Sequence, residues 1–166
     1  TITACKALSF APTATSPENP LNAQTDIPEG WFVSNEMGLS FNKPDSWVIS
    51  EQTDSEIAME DKDTQAYFYA TSMAEAAEDA LPIVELAQLV AETEFAGEQV
   101  EFGEPFSVTL ADGTNLDSVD LSFPKLNIKL RLMTTNTGMR SYMFFFVSQQ
   151  RNFDDNVEAF LPTLQS

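Results

Sequence analysis

Leu126-Asn127-Ile128-Lys129-Leu130-Arg131-Leu132 alternates apolar and polar side chains at every position. A period of two is the mark of a β-strand with one buried face, because successive side chains on an extended backbone point to opposite sides. Working outward, Asn136 to Gly138 supplies a turn, and Tyr142 to Val147 is apolar throughout, which suits a central strand covered on both faces. In the other direction, Phe106, Val108 and Leu110 alternate with polar residues, Asp112-Gly113 reads as a tight hairpin turn, and Val119, Leu121 and Phe123 alternate on the return. The stretch is an antiparallel meander.

The earlier part of the chain carries shorter apolar runs. Trp31 to Ser34, Leu39 to Asn42 and Trp47 to Ser50 read as opening strands, with Lys43-Pro44-Asp45-Ser46 as the turn between the last two. Ile57 to Glu60 and Ala66 to Thr71 continue the sheet, and the acidic run Glu60-Asp61-Lys62-Asp63 between them reads as a solvated loop. From Leu81 to Ala96 the residues Ile83, Leu86, Ala87, Val90 and Ala91 fall at helical spacing. Asp79 is a candidate cap, Pro82 fits the first turn and Gly97 is the stop, while Glu85, Gln88, Glu92 and Glu94 form the solvated face. Phe153, Val157, Phe160, Leu161 and Leu164 mark a closing helix that Pro162 should bend or end. Strands, helix, meander and helix in that order predict an α+β fold, an antiparallel sheet flanked by helices.

The 166 residues suit a tail, 1–29, and one domain, 30–166. Thirteen Phe, three Tyr and two Trp supply the apolar surface of a real core. Eight basic against 26 acidic residues give a net charge of −18, which repels phosphate backbones and argues against nucleic-acid binding. Such a surface serves solubility first, and its sharper reading is attraction of a basic partner or of divalent cations. The chain has no His and a single Cys. Imidazole-based nucleophile systems, His-containing zinc sites, thiolate clusters and internal disulfides are therefore absent from its chemistry.

That single cysteine lies in Ile2-Thr3-Ala4-Cys5, which resembles the lipobox of bacterial lipoproteins. The resemblance implies a lipid attached to the Cys5 sulfur. The chain from Lys6 to Glu29 supports it, since Pro12, Pro17, Pro20 and Pro28 stand among Ser, Thr, Ala and Asn with no sustained period, the composition of a flexible tether. Each buried methylene contributes about 0.8 kcal/mol, so two or three acyl chains hold a protein stably on a membrane where one holds it marginally.

Gly38-Leu39-Ser40-Phe41 followed by Pro44-Asp45-Ser46-Trp47 looks like an opening hairpin, and Phe160-Leu161-Pro162-Thr163-Leu164-Gln165-Ser166 like a terminal helix, of one family. On these segments residues 38–166 resemble the PsbP-like family, extrinsic proteins of the photosynthetic oxygen-evolving complex, together with the Mog family of Ran-binding proteins and related bacterial lipoproteins. The resemblance implies an α/β/α sandwich and a binding or assembly role without catalysis. The family's metal-associated His residues have no counterpart in a chain without His.

Four groups of residues are candidates for a site. Ser122-Phe123-Pro124-Lys125 has the Ser-x-x-Lys spacing of penicillin-recognising enzymes, but in a strand entering a proline turn the two side chains point apart. Glu101, Glu104, Asp117 and Asp120 are the nearest to a carboxylate pair of the kind that cleaves glycosidic bonds, against the plainer reading of a solvated sheet face. Asp54, Glu56, Glu60, Asp61 and Asp63 could form a loose calcium site of oxygen ligands, although they lack the helix-loop-helix spacing. Trp31 and Phe32, just after the tether, are expected to stay partly exposed and contribute to a partner surface. The expectation is a lipid-anchored accessory or assembly protein, not an enzyme and without a cofactor, that binds another protein on the outer side of a bacterial membrane: periplasmic face, cell surface or thylakoid lumen. A small-ligand carrier or carboxylate-dependent hydrolase is the alternative, and a photosystem II extrinsic or assembly protein the narrower option.

Overall fold

The computed structural model describes residues 30–73, 81–110 and 113–164. Cys5 with its tether, Asp79 and Asp112 lie outside them. The described part opens with strands β1 (Trp31–Ser34) and β2 (Leu39–Asn42), which among the described residues pair only with each other, as an antiparallel hairpin. Next come β3 (Trp47–Gln52), β4 (Glu56–Asp61), β5 (Ala66–Met73) and helix α1 (Ile83–Glu94). The second half holds β6 (Glu101–Phe102), β7 (Phe106–Thr109), β8 (Asn115–Phe123), β9 (Ile128–Asn136), β10 (Ser141–Gln149) and α2 (Phe153–Phe160), with single 3-10 turns at Gln150–Asn152 and Leu161–Leu164. All strands from β3 onward join one antiparallel sheet in the order β3-β4-β5-β10-β9-β8, with β6 and β7 sharing the outer edge of β8.

The all-apolar run sits where its pattern demands, for β10 lies in mid-sheet between β5 and β9. Its even-numbered side chains Phe144 and Phe146 enter one core and its odd-numbered Phe145 and Val147 the other. The front core is roofed by the β1–β2 hairpin, α2 and the turn after it. Phe160 of α2 packs its ring 4.6 Å from Phe68, 4.8 Å from Trp47 and 5.3 Å from Phe146, so three strands are tied to one helix. Pro162 falls in the 3-10 turn that ends this helix, as its missing N–H requires. On the back face α1 packs over β8 and β9 through Ala87, Val90 and Ala91. Phe95, just past its end, stacks on Phe123 with centroids 4.2 Å apart, and Gly97 then takes a φ of +86°.

Three local expectations give way to tertiary structure. The opening hairpin is Trp31–Asn42, not Leu39–Ser50, because Phe32 is registered opposite Phe41 and the rings meet at 4.8 Å. Lys43–Ser46 instead carries the chain from that hairpin to the large sheet. Phe32 is consequently a core residue at 7% exposure and not the partly exposed one expected after a tether, whereas Trp31 is half-buried and does keep part of its surface exposed. Glu60 and Asp61 belong to β4, and Asp61 is buried at 6%. Its carboxylate accepts from the Asp63 N–H at 3.0 Å and from the Thr64 hydroxyl at 2.9 Å, closing the β4–β5 turn. A short polar side chain that satisfies backbone groups two residues on needs no water to do so.

One contact fixes the roof to the sheet across a long sequence separation. The Tyr142 hydroxyl donates to the carbonyls of Met37 and Gly38, at 3.0 and 3.1 Å. Gly38 has φ +65°, and a Cβ built there would lie 3.1 Å from that hydroxyl. Both the backbone angle and the close approach call for glycine.

Candidate functional site

Beyond β8 the sheet margin is interrupted. β6 pairs with Leu121 and Ser122, β7 pairs with Asn115 to Ser118, and the three residues between them bridge the gap. Gly103 donates its N–H to the Asp120 carbonyl at 2.7 Å, and a Cβ on it would lie 3.1 Å from that same oxygen. The backbones can approach this closely because the residue is glycine. The interruption leaves a cleft of about 430 Å³ whose walls include Glu101, Phe102, Glu104, Phe106, Asp120 and Lys129.

Its floor is a charge cluster. Asp120 and Arg131 are cross-strand partners, and the carboxylate accepts two parallel bonds from the guanidinium, from Nε at 2.7 Å and from Nη2 at 2.9 Å. Lys129 stands 3.2 Å from the same carboxylate and 3.3 Å from that of Asp154. Strand alternation places Lys129, Arg131 and Asp120 on one face, and α2 brings Phe153 over them. The ring lies 4.6 Å from the Lys129 ammonium and 5.5 Å from the Arg131 guanidinium, with Phe106 at 4.8 Å from the latter. Planar guanidinium groups stack on aromatic faces while keeping their in-plane bonds to a carboxylate, which is the arrangement here. The rim differs in kind. Glu101 and Glu104 are exposed, and Phe102 and Phe106 show 44% and 37% of their surface to solvent.

Three of the four suspected carboxylates, Glu101, Glu104 and Asp120, thus meet at one cleft, while Asp117 points to the opposite face of β8 and accepts a bond from Ser107 at 3.4 Å. Ser122 also lines the cleft, but its cross-strand partner is Lys129, and Lys125 lies in the β8–β9 turn. The calcium candidates do not converge. Asp54 and Glu56 stand at one end of β4 and Asp61 at the other, Asp61 bonds its own turn, and Glu60 pairs with Lys62 at 3.6 Å. Among the described residues no group of three or more His, Cys, Asp or Glu side chains is placed to hold a metal ion. The residues that sequence reasoning missed are Phe102, Phe106, Lys129 and Arg131. Lys129 and Arg131 are the polar half of the alternating strand, and that alternation already placed them on one face.

No protein-family model matches the chain, and no curated protein matches it by sequence. Among solved structures the chain is similar to cyanobacterial PsbP (CyanoP) from Synechocystis, with a TM-score of 0.60 and 11% sequence identity, over 88% of this chain and 96% of that one. The fold is PsbP-like. The sheet with a helical layer on each face agrees with the sandwich that the sequence resemblance implies. A protein from Bacteroides thetaiotaomicron superposes with a TM-score of 0.44 at 15% identity over 81% of this chain, which spans 47% of that one. Within the PsbP-like framework of this chain, Gly38-Leu39-Ser40-Phe41 is the return of the β1–β2 hairpin, and Phe41 is fully buried. Among the described residues no helix is long and apolar enough to cross a membrane.

Proposed function

We propose that this protein is a non-catalytic accessory protein of PsbP type, held on the outer side of a membrane through a lipid on Cys5 and acting by binding another protein at the Phe102–Phe106 cleft. The observation that carries the reading is the state of the Asp120 carboxylate. Both of its oxygens are engaged, Oδ1 by Arg131 and Oδ2 by Arg131 and Lys129, so the one partly buried acid of the cleft is held as a counter-ion and not as the unpaired oxygen that a general base or nucleophile presents. Glu101 and Glu104 stand exposed at the rim, without the enclosing surface that holds a catalytic side chain and its substrate in one geometry.

The half-exposed Phe106 ring against a rigid ion-pair floor, with Phe102 at the strand margin registered opposite back-face Leu121, has instead the make-up of a contact surface, an apolar anchor within a polar rim. Carboxylates at that rim on a chain of net charge −18 favour a basic partner. The convergence of Glu101, Glu104 and Asp120 is what favours the alternative, a carboxylate-dependent hydrolase or small-ligand carrier. Affinity capture from detergent-solubilised membranes with the native protein and with Phe106→Glu decides between them. A stoichiometric protein partner that the variant loses supports the proposal. Absence of a partner, or small-molecule turnover by the purified protein that Glu104→Gln abolishes, refutes it. Intact-mass analysis of the native product tests the anchor, since an unmodified Cys5 would remove it.

A further inference from the structure

The two faces of the sheet are covered unequally. Adjacent strands are spaced by about 4.8 Å, so the path from β3 to β6 is roughly 28 Å wide, whereas one helix with its side chains covers about 10–12 Å. On the front, the β1–β2 hairpin and α2 share the task. On the back α1 packs over β8 and β9, and among the described residues no helix or strand is layered over the β3-β4-β5 half. The register shows what this half presents. Phe145 lies opposite Tyr69 and Val147 opposite Tyr67, so the tyrosines continue the back face, followed along β5 by Met73 at 55% exposure. Met143 on β10 and Val48 on β3, the latter at 50% exposure, extend the strip to either side. Between them Ala58, opposite Tyr69, forms a low floor. Tyrosine and methionine around a small residue are the composition of a protein contact, not of a solvated sheet.

Charge identifies the kind of partner. Glu60 is opposite Val48, Glu51 is opposite Ala58, and Glu56 bonds the Tyr69 hydroxyl, so three carboxylates edge the strip, with Lys62 alone set against Glu60. Burial and the Glu56 carboxylate push the Tyr69 phenol above the ordinary tyrosine range, which keeps the hydroxyl protonated and Glu56 held on the face. β5 has eight residues, a length of about 26 Å at 3.3 Å per residue, matched by a helix of roughly 17 residues. We infer that the open half of the back face is a docking site for a basic amphipathic helix of a partner protein, laid along β5 beside α1. The inference stands on the sheet face and does not rest on the cleft, which opens on the other side.

The test uses the full chain, isotope-labelled for NMR, and an amphipathic Leu/Lys helical peptide of roughly 18 residues, long enough to span β5. Expected are shifts confined to β3, β4, β5 and the facing edge of α1, with affinity lowered at least about tenfold by Glu56→Lys combined with Glu60→Lys, and no binding of a Leu/Glu peptide of the same pattern. Val48→Arg, at an exposed position, provides a second lesion should the charge reversal perturb folding, and it too should weaken binding. Shifts centred on residues 101–106, affinity unchanged by both variants, or self-association of the chain through this face would overturn the inference, the last by making a second copy the occupant. Failure of membrane capture at the cleft would leave these shifts in place, so the two readings fail separately.

Discussion

Removing the Asp120 carboxylate should destabilise the protein more than removing the Arg131 guanidinium, because one anion sits between two cations. The side chains of Asp120, Arg131 and Lys129 keep 15%, 14% and 22% of their surface exposed, which places the cluster between two measured regimes. Exposed pairs contribute about 0.2–1 kcal/mol, and stripping one partner from a buried pair costs about 3–5 kcal/mol. For Asp120→Ala we expect about 3 kcal/mol, since Arg131 and Lys129 would then face each other as like charges, with the exposed Asp154 still paired to Lys129. For Arg131→Met we expect about 1 kcal/mol, because Asp120 keeps Lys129 and the methionine still covers Phe153. The double variant should cost less than the sum of the two, with a coupling of about 1–2 kcal/mol. Urea unfolding followed by fluorescence of the buried Trp47 reads all three values. Equal costs for the single variants, or coupling within error of zero, would refute the picture of a shared anion.

Phe160→Ala should be the most damaging single change in α2, at about 3–5 kcal/mol, since it empties the space between Trp47, Phe68 and Phe146; denaturant midpoints check it, and a cost below that of Asp120→Ala would contradict it. Tyr142→Phe leaves the ring but deprives the Met37 and Gly38 carbonyls of their donor, for an expected loss of about 1–2 kcal/mol and faster amide exchange in the β1–β2 hairpin than in β8 and β9. Tyr69 titrates higher in the folded than in the unfolded chain. Its contribution is therefore complete below the unfolded value of about 10 and is lost as pH rises beyond it. Tyr69→Phe should flatten the alkaline fall in stability and remove a late-ionising component of tyrosinate absorbance, and an unchanged alkaline profile would count against the assignment.

How much of this was legible in the sequence depends on how many layers each residue meets. β10 was readable because both of its faces are buried, so that a run of apolar residues has one meaning. The alternation of residues 126–132 gave β9, although Leu126 falls in the preceding turn and is 43% exposed, since pairing with β8 begins only at Ile128. The same pattern misled at β7. Phe106 alternates as a core residue should, yet the strand pairs with β8 alone at the sheet margin, and little packs above it. Phe32 was misplaced for the converse reason. A position just after a proline-rich segment says nothing of a partner ring nine residues later, and the Phe32–Phe41 contact exists only once the hairpin has closed. The carboxylates of the cleft could be suspected but not sorted. Asp117 and Asp120 differ by an odd number of positions and so lie on opposite faces, whereas the joining of Glu101 and Glu104 to Asp120 depends on a strand of two residues that carries no pattern to read.

The residues that break the binary pattern are also those that no described element covers, and this ties the fold to the proposed function. A sheet whose margins were covered throughout would bury Phe102, Phe106, Val48 and Met73, and each of them is at least a third exposed. The front core, with Phe68, Phe146 and Phe160 at no more than 2% exposure, is complete without them. Stability therefore does not require these side chains to be apolar, and in water each would be tolerated as a polar residue at little cost. The two proposed contacts account for their apolar character, as surfaces that a partner covers only some of the time. Carboxylates stand beside both, Glu101 and Glu104 at the cleft, and Glu51, Glu56 and Glu60 at the open face. Apolar anchors give a complex its lifetime, and a surrounding field of one sign governs the approach of its partner. On the proposed function, the acidity of the chain and the exposed apolar side chains would serve one event, association with a basic surface, the first through the rate of encounter and the second through the rate of release.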